Sequence, residues 1–542
     1  MFQTVYEAFL ASVAEVAGQP LLAVPPGPSY APNGHEITYD QAREQVEALK
    51  QRYRAAGYGH GHRVGLLFEN RPEHLLHVLA LNALGASQVP INPDYTHDEM
   101  LYQMDHSEAD LAVCLSSRVS ALERVARDRT AKPLPVADGE RLPEALPRPA
   151  MAAPRSDAPG RMTEAALLYT SGTTGRPKGC ILTNDYWLTA GQWYFDMGRS
   201  GGRIDIQPGA ERLINPLPVF HMNCGAVSFT CMVLAKGCLV LPDRFHPNRW
   251  WKDVVSTRAT IMHYLGVMPP LLLNHPKIPE ERQHGLKFGI GAGIEPQLHR
   301  AFEERFGVPL IEVWGMTEVG RMFADHVEPR QVDTRAFGMP FNGFEAKIVD
   351  DQDVEVPRGT PGELLVRFAG PDPRKGFFAG YLKNEKATAE AWRGGWFHSG
   401  DAVSQGEDGM LYFVDRKKNI IRRSGENIAA AEVEAALQAH EAVAQVAVIS
   451  VPDELRDEEV MACIVPMPGV APGQKLADDL FAWTYEKLAY YKPPGWILFL
   501  EKLPTTGTQK VQKTQIFPAG EDPRKRPGAI DLRDRKKRRR AA

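Results

Sequence analysis

A chain of 542 residues, 43% hydrophobic and 24% charged, has the composition of a soluble globular protein, and at about 150 residues per folding unit it holds three or four of them. Its formal net charge of −4 argues against bulk binding of nucleic acid, and six scattered cysteines without a CxxC pair argue against zinc and redox motifs. With no apolar run of about 18 residues and an acidic Glu7 in place of a basic leader, the chain is expected to lack a membrane span and to be cytoplasmic.

The first part alternates two kinds of segment. Val64 to Phe68, Ala86 to Ile91 and Asp110 to Leu115 are short apolar runs, while Glu73 to Leu84 and His97 to His106 have helical spacing. Such alternation predicts βαβ units and a mostly parallel sheet. A Pro/Ala-rich stretch from Lys132 to Gly160 is expected to be an exposed connection. The apolar strand Ala165 to Thr170 follows it. Cys224, Cys231 and Cys238 recur every seven residues and are expected at buried apolar positions, where free Cys behaves as a small hydrophobe.

Later on, short strands are predicted at Glu363 to Arg367 and Met410 to Asp415. The last hundred residues read as helix Ala430 to Gln438, strands Val443 to Ser450 and Val460 to Val465, and helix Lys475 to Leu488. The fold class is therefore α/β. A large N-terminal domain of several subdomains with mostly parallel sheets (1–415) precedes a small α+β domain (416–520), with the joint near Asp415 to Lys418. Residues 521–542 hold ten basic and four acidic residues. A nuclear signal, a nucleic-acid patch or a membrane patch would fit that run; the favoured expectation is a solvated, disordered terminus.

The strongest local signal is the string from Tyr169 to Gly179: Thr170, Ser171, Gly172, Thr173, Thr174, Gly175, Arg176, Pro177 and Lys178 lie between them. Backbone N–H groups and hydroxyls in such a loop can cradle phosphate oxygens, and Lys178 adds a point charge. It is not a Walker A loop, because Gly179 stands where Ser or Thr is required. Further motifs follow: Leu217 to Asn223 around His221, Gly289 to Pro296 around Gly291, Ala292 and Gly293, Glu312 to Glu318, Trp396 to Asp401, Asp415 to Lys418, Ser424 to Ile428, and Leu503 to Lys513. Alone, each is weak. His221 reads as a packed loop histidine, a Thr-Glu pair as a helix cap, and Lys510 as a solvated surface lysine.

In order and spacing, over roughly residues 5 to 515, these motifs together resemble the adenylate-forming superfamily of acyl-CoA synthetases, peptide-synthetase adenylation domains and luciferase. The resemblance implies that Thr170 to Gly175 and Lys178 bind phosphate. Gly291, Ala292 and Gly293 would lie beside adenine and the acyl group, and His221 would gate the acyl pocket. Glu312, Val313, Trp314, Gly315 and Met316 would contribute to the nucleotide site, with Trp314 replacing the usual Tyr and still able to stack on adenine. Thr317 would bond phosphate and Glu318 would hold Mg²⁺. Asp401 would accept the ribose hydroxyls, helped by Arg416, and Lys418 would be the hinge pivot of a mobile C-terminal domain. Gly425 would lie on the loop lining the pantetheine tunnel, and Lys510 would be the mobile catalytic lysine. Gln509 and Ala430 depart from the usual Gly and Pro.

The implied reaction uses ATP, Mg²⁺ and coenzyme A. A small carboxylic acid becomes an acyl-adenylate with release of pyrophosphate, and the acyl group then passes to the thiol with release of AMP. The Gly-Glu-Asn-Ile string followed by Thr-Gly-Thr-Gln-Lys-Val-Gln-Lys most resembles the branch holding the carnitine and crotonobetaine CoA ligases, which identifies a branch and not a substrate. Arg321 is expected to be structural, with pairing to a second substrate carboxylate as the alternative. Loading of a separate carrier protein, a non-catalytic nucleotide sensor and a nucleic-acid binder acting through the tail are the competing readings. The sequence leaves oligomeric state open, a homo-oligomer included.

Overall fold

The computed structural model describes residues 1–130, 132–140, 142–143, 145–149, 153–170, 177–199, 201–341, 343–423, 426–505, 511–518 and 520–537. The chain divides into two compact units, one of residues 1–346 and 366–397, the other of residues 347–365 and 398–542. These boundaries differ from the expected 1–415 and 416–520, because segments 347–365 and 398–415, which carry the sheet ending in Leu411–Arg416, group with the second unit.

Unit one carries two large sheets among the described residues. The first runs, in spatial order, Phe323–Ala324, Leu310–Trp314, Phe288–Ala292, Ile261–Leu265, Arg212–Ile214, Cys238–Val240, Pro20–Val24 and His35–Thr38. Its six inner strands pair in parallel, and the two edge strands are antiparallel. Sheets of this kind need both faces covered; the inner strands are almost wholly buried, with burial running through consecutive residues rather than alternating.

The second sheet runs Gly380–Tyr381, Lys178–Thr183, Glu164–Thr170, Ser87–Pro90, Arg63–Leu67, Leu111–Cys114 and Val136–Asp138. Its last five strands are parallel, as the alternating pattern predicts, with helices Pro72–Ala83 and His97–Ser107 between them. Each predicted strand and helix of this stretch lies within two residues of its expected ends. All six cysteines are buried.

The connection between residues 132 and 160 is not wholly exposed, contrary to expectation. Val136–Asp138 joins the sheet beside Leu111–Cys114, and Leu134, Ala137, Leu142 and Leu146 are buried. Isolated apolar residues among the prolines are enough to dock the chain at an open sheet edge.

Unit two holds strand segments 347–349, 362–365 and 398–405 and the strand Leu411–Arg416 in one sheet. A second sheet runs Glu426–Ala429, Ile420–Arg423, Asp457–Pro466, Trp496–Phe499 and Ile530–Asp531, with Val443–Asp453 also on Asp457–Pro466. Helices Ala430–Gln438 and Gln474–Lys487 cover it through Val433, Leu437, Leu480 and Phe481.

The disordered terminus expected for residues 521–542 is corrected as far as residue 537. Ile530 and Asp531 pair antiparallel with Ile497 and Trp496, and Leu532 is 2% exposed within the core of the unit. One strand-forming pair and one buried leucine anchor a segment whose charge hides them. Residues 538–542 lie outside the described residues.

Candidate functional site

In unit one the motifs collect at the C-terminal ends of strands, where open α/β sheets bind ligands. Thr170 and Lys178 are registered partners across an antiparallel pair. The string between them is therefore the connection of a hairpin whose two feet are fixed. Ser171, Gly172, Thr173, Thr174, Gly175 and Arg176 themselves lie outside the described residues.

Beside Lys178 stands Tyr381. The lysine Nζ lies 4.8 Å from the centre of the Tyr381 ring, close enough for cation–π attraction. The Tyr381 hydroxyl donates to Glu318 Oε1 at 2.9 Å, and the Cys180 thiol lies 3.8 Å from the same oxygen. Burial pushes the Tyr381 phenol and the Cys180 thiol upward in pKa, so both remain protonated and can donate. Glu318 is 6% exposed and Thr317 8%. They sit in a turn after Leu310–Trp314, closed by the Val319 N–H donating to the Met316 carbonyl at 3.0 Å. The Glu318 carbonyl accepts from Phe378 N–H at 2.9 Å. Glu318 thus links the end of the first sheet to the hairpin of the second.

The glycine turn has its own support. Gly291 pairs with Tyr264 on one side and Glu312 on the other. A Cβ on Gly291 would lie 2.3 Å from the Tyr264 carbonyl oxygen. The next residues, Ala292 and Gly293, are exposed at the strand end, and Gly293 adopts φ +86°. Glu312 holds this turn: its carboxylate accepts Gly293 N–H at 2.9 Å, Ile294 N–H at 3.4 Å and the Tyr264 hydroxyl. Burial pushes the Glu312 carboxyl up to about 7, against these hydrogen bonds. Its role in the structure is to shape the turn. Val313 is buried, Gly315 is exposed and Met316 is partly buried. Trp314 is 5% exposed, with its ring packed against Phe323 and Phe337. That packing leaves little of the ring for the expected stacking on adenine.

His221 is exposed at a turn, where its Nδ1 accepts Asn223 N–H at 3.4 Å. A π-helical turn, Asn223–Ser228, follows, a rare geometry that is frequent at functional sites. Beneath it lies a buried polar chain. Tyr194 hydroxyl bonds His263 Nε2 at 2.6 Å, His263 Nδ1 bonds Asn223 Oδ1 at 2.9 Å, and Asn215 Nδ2 donates to the same oxygen at 2.9 Å. Burial lowers His263 to about 3, so it is neutral. Arg321 is tied within this unit: Nη1 donates to the Lys375 carbonyl at 2.6 Å and the guanidinium lies 4.4 Å from the Phe368 ring centre.

In unit two, Asp401 and Arg416 are registered partners on adjacent antiparallel strands, and Arg416 Nε lies 2.9 Å from Asp401 Oδ1. Asp401 is buried while the Arg416 side chain is 44% exposed. Asp415 accepts Ala431 N–H at 2.7 Å at the start of helix Ala430–Gln438. Lys417 pairs with Asp351 at 2.9 Å and Glu363 at 3.0 Å. Burial opposes the Glu363 charge, yet Lys417 and neighbouring His398 hold its carboxyl down at about 2. Lys418 is in a short 3₁₀ turn, Lys417–Asn419, between two strands. Gly425 and Lys510 lie outside the described residues.

Sequence reasoning missed Tyr381, Cys180, Tyr264 and the Tyr194–His263–Asn223 chain. Tyr381 and Cys180 are 63 and 138 residues from Glu318, and nothing periodic marks them.

A Gly-turn and a hydroxyl-rich hairpin at strand ends, with a buried Thr-Glu pair between them, define an α/β enzyme that handles a nucleotide. The AMP-binding enzyme family matches residues 23–382, and the AMP-binding enzyme C-terminal domain matches residues 432–510. The chain belongs to the AMP-binding enzyme family. A crotonobetaine/carnitine–CoA ligase of Proteus mirabilis (strain HI4320) is 29% identical over 502 residues, spanning 89% of this chain and 93% of that protein. Two solved structures share the fold. An ATP-bound RpMatB-BxBclM chimera has TM-score 0.79 at 24% identity, covering 95% of this chain and 98% of its own. The o-succinylbenzoate CoA synthetase of Bacillus subtilis, in complex with its acyl-adenylate, has TM-score 0.79 at 23% identity, covering 96% and 99%. No helix among the described residues is long and apolar enough to cross a membrane.

Proposed function

We propose that this chain is an AMP-forming carboxylate–CoA ligase acting on a small carboxylic acid. The observation that carries the reading is Glu318, buried between the Tyr381 hydroxyl and Cys180 at the foot of the hydroxyl-rich hairpin. The similarity to a crotonobetaine/carnitine–CoA ligase supports coenzyme A as acceptor.

The chemistry follows from charge. A carboxylate cannot acylate a thiol directly, since oxide would have to leave. Its oxygen attacks the α-phosphorus of ATP, the bond to pyrophosphate breaks, and a mixed anhydride forms. The obstacle is repulsion between anions. Residues 170–175 and Lys178 bind phosphate oxygens, Thr317 bonds phosphate, and Lys510 stabilises the transferring phosphoryl group. Among the described residues no three His, Cys, Asp or Glu side chains group as a metal cage. Mg²⁺ needs none, since it takes one or two carboxylates plus substrate phosphates; Glu318 would hold it, and bound there it would offset phosphate charge. Tyr381 and Cys180 orient that carboxylate. Asp401 accepts the ribose hydroxyls with Arg416 beside it.

In the second half-reaction the thiol attacks the acyl carbonyl, AMP leaves and the thiol proton is lost. The loop around Gly425 borders the pantetheine arm, and movement about Lys418 exchanges the two half-reactions. Acid-dependent exchange of labelled pyrophosphate into ATP tests the first step. No exchange with any small aliphatic, betaine-type or aromatic acid, in folded protein that binds ATP, would favour a nucleotide sensor.

A further inference from the structure

Within unit one, Tyr381 links two opposite charges, Lys178 and Glu318, and strand register explains how. Lys178 and Cys180 stand two residues apart on one strand, so their side chains lie on the same face. Gly380–Tyr381 pairs antiparallel with that strand, with Tyr381 opposite Cys180, and directly opposed residues share a face. Lys178, Cys180 and Tyr381 are therefore gathered on one side of the sheet edge. Glu318 meets them there from the end of the first sheet. The Tyr381 hydroxyl and the Cys180 thiol, side chains of one registered pair, both reach its Oε1, at 2.9 and 3.8 Å. The Lys178 ammonium lies over the Tyr381 ring, 4.8 Å from its centre.

The tyrosine itself is held firmly. Its N–H donates to Thr388 Oγ1 at 2.9 Å, and that hydroxyl donates to the Asn384 carbonyl at 3.0 Å. Leu382 N–H donates to the Gly179 carbonyl at 2.8 Å, and the Tyr381 ring packs at a steep angle on Phe378, with centres 4.7 Å apart. A phenol offers two electrostatic surfaces. The ring face is negative and attracts a cation, while the O–H donates to an anion. One neutral side chain thus orders an ammonium and a carboxylate without cancelling either charge. A direct ion pair in its place would spend both charges on each other. A phosphate chain with its divalent cation needs both, a cation for the oxygens and a carboxylate for the metal.

We propose that Tyr381 is a positioning residue for the ATP phosphate chain, its ring face holding the Lys178 ammonium for phosphate oxygens and its hydroxyl orienting the Glu318 carboxylate for Mg²⁺. The proposal rests on the ligase reading above, and adds that two different parts of one side chain carry two separable effects. Phenylalanine keeps the ring and loses the hydroxyl. Leucine keeps apolar bulk and loses both. Tyr381→Phe should therefore change the response to Mg²⁺ alone, and Tyr381→Leu should in addition weaken the hold of Lys178 on the nucleotide. Residues that act through one contact give non-additive effects when both are changed.

The test uses the full chain. ATP binding is measured by calorimetry in EDTA and over a range of Mg²⁺ concentrations, beside acid-dependent pyrophosphate exchange. The expected result for Tyr381→Phe is an ATP affinity in EDTA within about twofold of the parent and a roughly 10-fold higher Mg²⁺ requirement, in binding and in exchange. Tyr381→Leu should show the same Mg²⁺ shift and also lose about 2–30-fold in ATP affinity in EDTA. On a Lys178→Met background that second loss should vanish. An unchanged Mg²⁺ requirement in Tyr381→Phe would overturn the proposal, and so would a loss in Tyr381→Leu that persists in full without Lys178. Tyr381→Phe retains the packed ring, so its Mg²⁺ requirement decides the matter even where Tyr381→Leu fails to fold. Should the parent activate no acid, the ligase reading fails separately, and calorimetry alone decides the role of Tyr381 by the same outcomes.

Discussion

Asp401 and Arg416 face each other across two antiparallel strands, with the guanidinium Nε 2.9 Å from the buried carboxylate. The pairing leaves Arg416 44% exposed and aims a fixed anion and a fixed cation from the same patch of unit two. A ribose diol can donate to the first while a phosphate oxygen accepts from the second.

Asp401→Asn keeps the shape and removes the charge. A hydrogen bond to a charged group contributes about 1.5–3 kcal/mol, so KM for ATP should rise by roughly 10–100-fold. Initial rates of pyrophosphate release over a range of ATP concentrations check this. An unchanged KM would remove Asp401 from the nucleotide site.

Glu318→Gln can still accept from the Tyr381 hydroxyl, and so should fold normally. Loss of the carboxylate charge should lower the adenylation rate by about 10²–10³-fold. Circular dichroism and rapid-quench measurement of acyl-adenylate separate the two effects. A variant with full adenylation rate would contradict the assigned role.

Glu312 gives a pH signature in stability. Its carboxyl is raised from the ordinary 4.5 to about 7 by burial, in spite of the hydrogen bonds it accepts. An acid with a raised folded pKa favours the folded state below its unfolded value, and that advantage is lost as pH rises through the folded value. The parent should therefore lose on the order of 1–3 kcal/mol between pH 4.5 and 7 from this group. Glu312→Gln should lack that component, as seen in urea unfolding at pH 5, 6, 7 and 8. Parallel pH profiles for the two proteins would refute the assignment.

Gly291→Ala places a methyl group 2.3 Å from the Tyr264 carbonyl oxygen, and backbone in mid-sheet cannot step aside. Overpacking of this kind costs about 1–3 kcal/mol. A lower Tm and a weakened adenylate affinity should appear together, because the same strand presents Ala292 and Gly293. A Tm equal to that of the parent would show that the sheet relaxes.

The strands and helices ahead of the hydroxyl-rich string are legible because each is long enough for its apolar period to stand out. Helix Ala430–Gln438 was placed to the residue, its apolar face being set off by Glu432 and Glu434. Val136–Asp138 and Ile530–Asp531 were not legible, since two or three residues carry no period. The partners of the motif residues were hidden for another reason. Tyr381 reaches Glu318 only because Gly380–Tyr381 pairs with Lys178–Thr183, a long-range pairing with no local trace. Lys536 read as one more charge in a basic run, and its burial beside Glu459 depends on a strand pairing of two residues.

The central claim is tested most directly by acid-dependent pyrophosphate release over a panel of small aliphatic, betaine-type and aromatic acids, with and without coenzyme A, using the parent and Lys510→Ala. The account predicts release with at least one acid, a coenzyme-A-dependent thioester from that acid, and a loss of about 10²–10³-fold in the first step for Lys510→Ala, with conversion of preformed acyl-adenylate retained. Release without thioester would point to a carrier protein as acceptor, and release undiminished by Lys510→Ala would contradict the account of the first step.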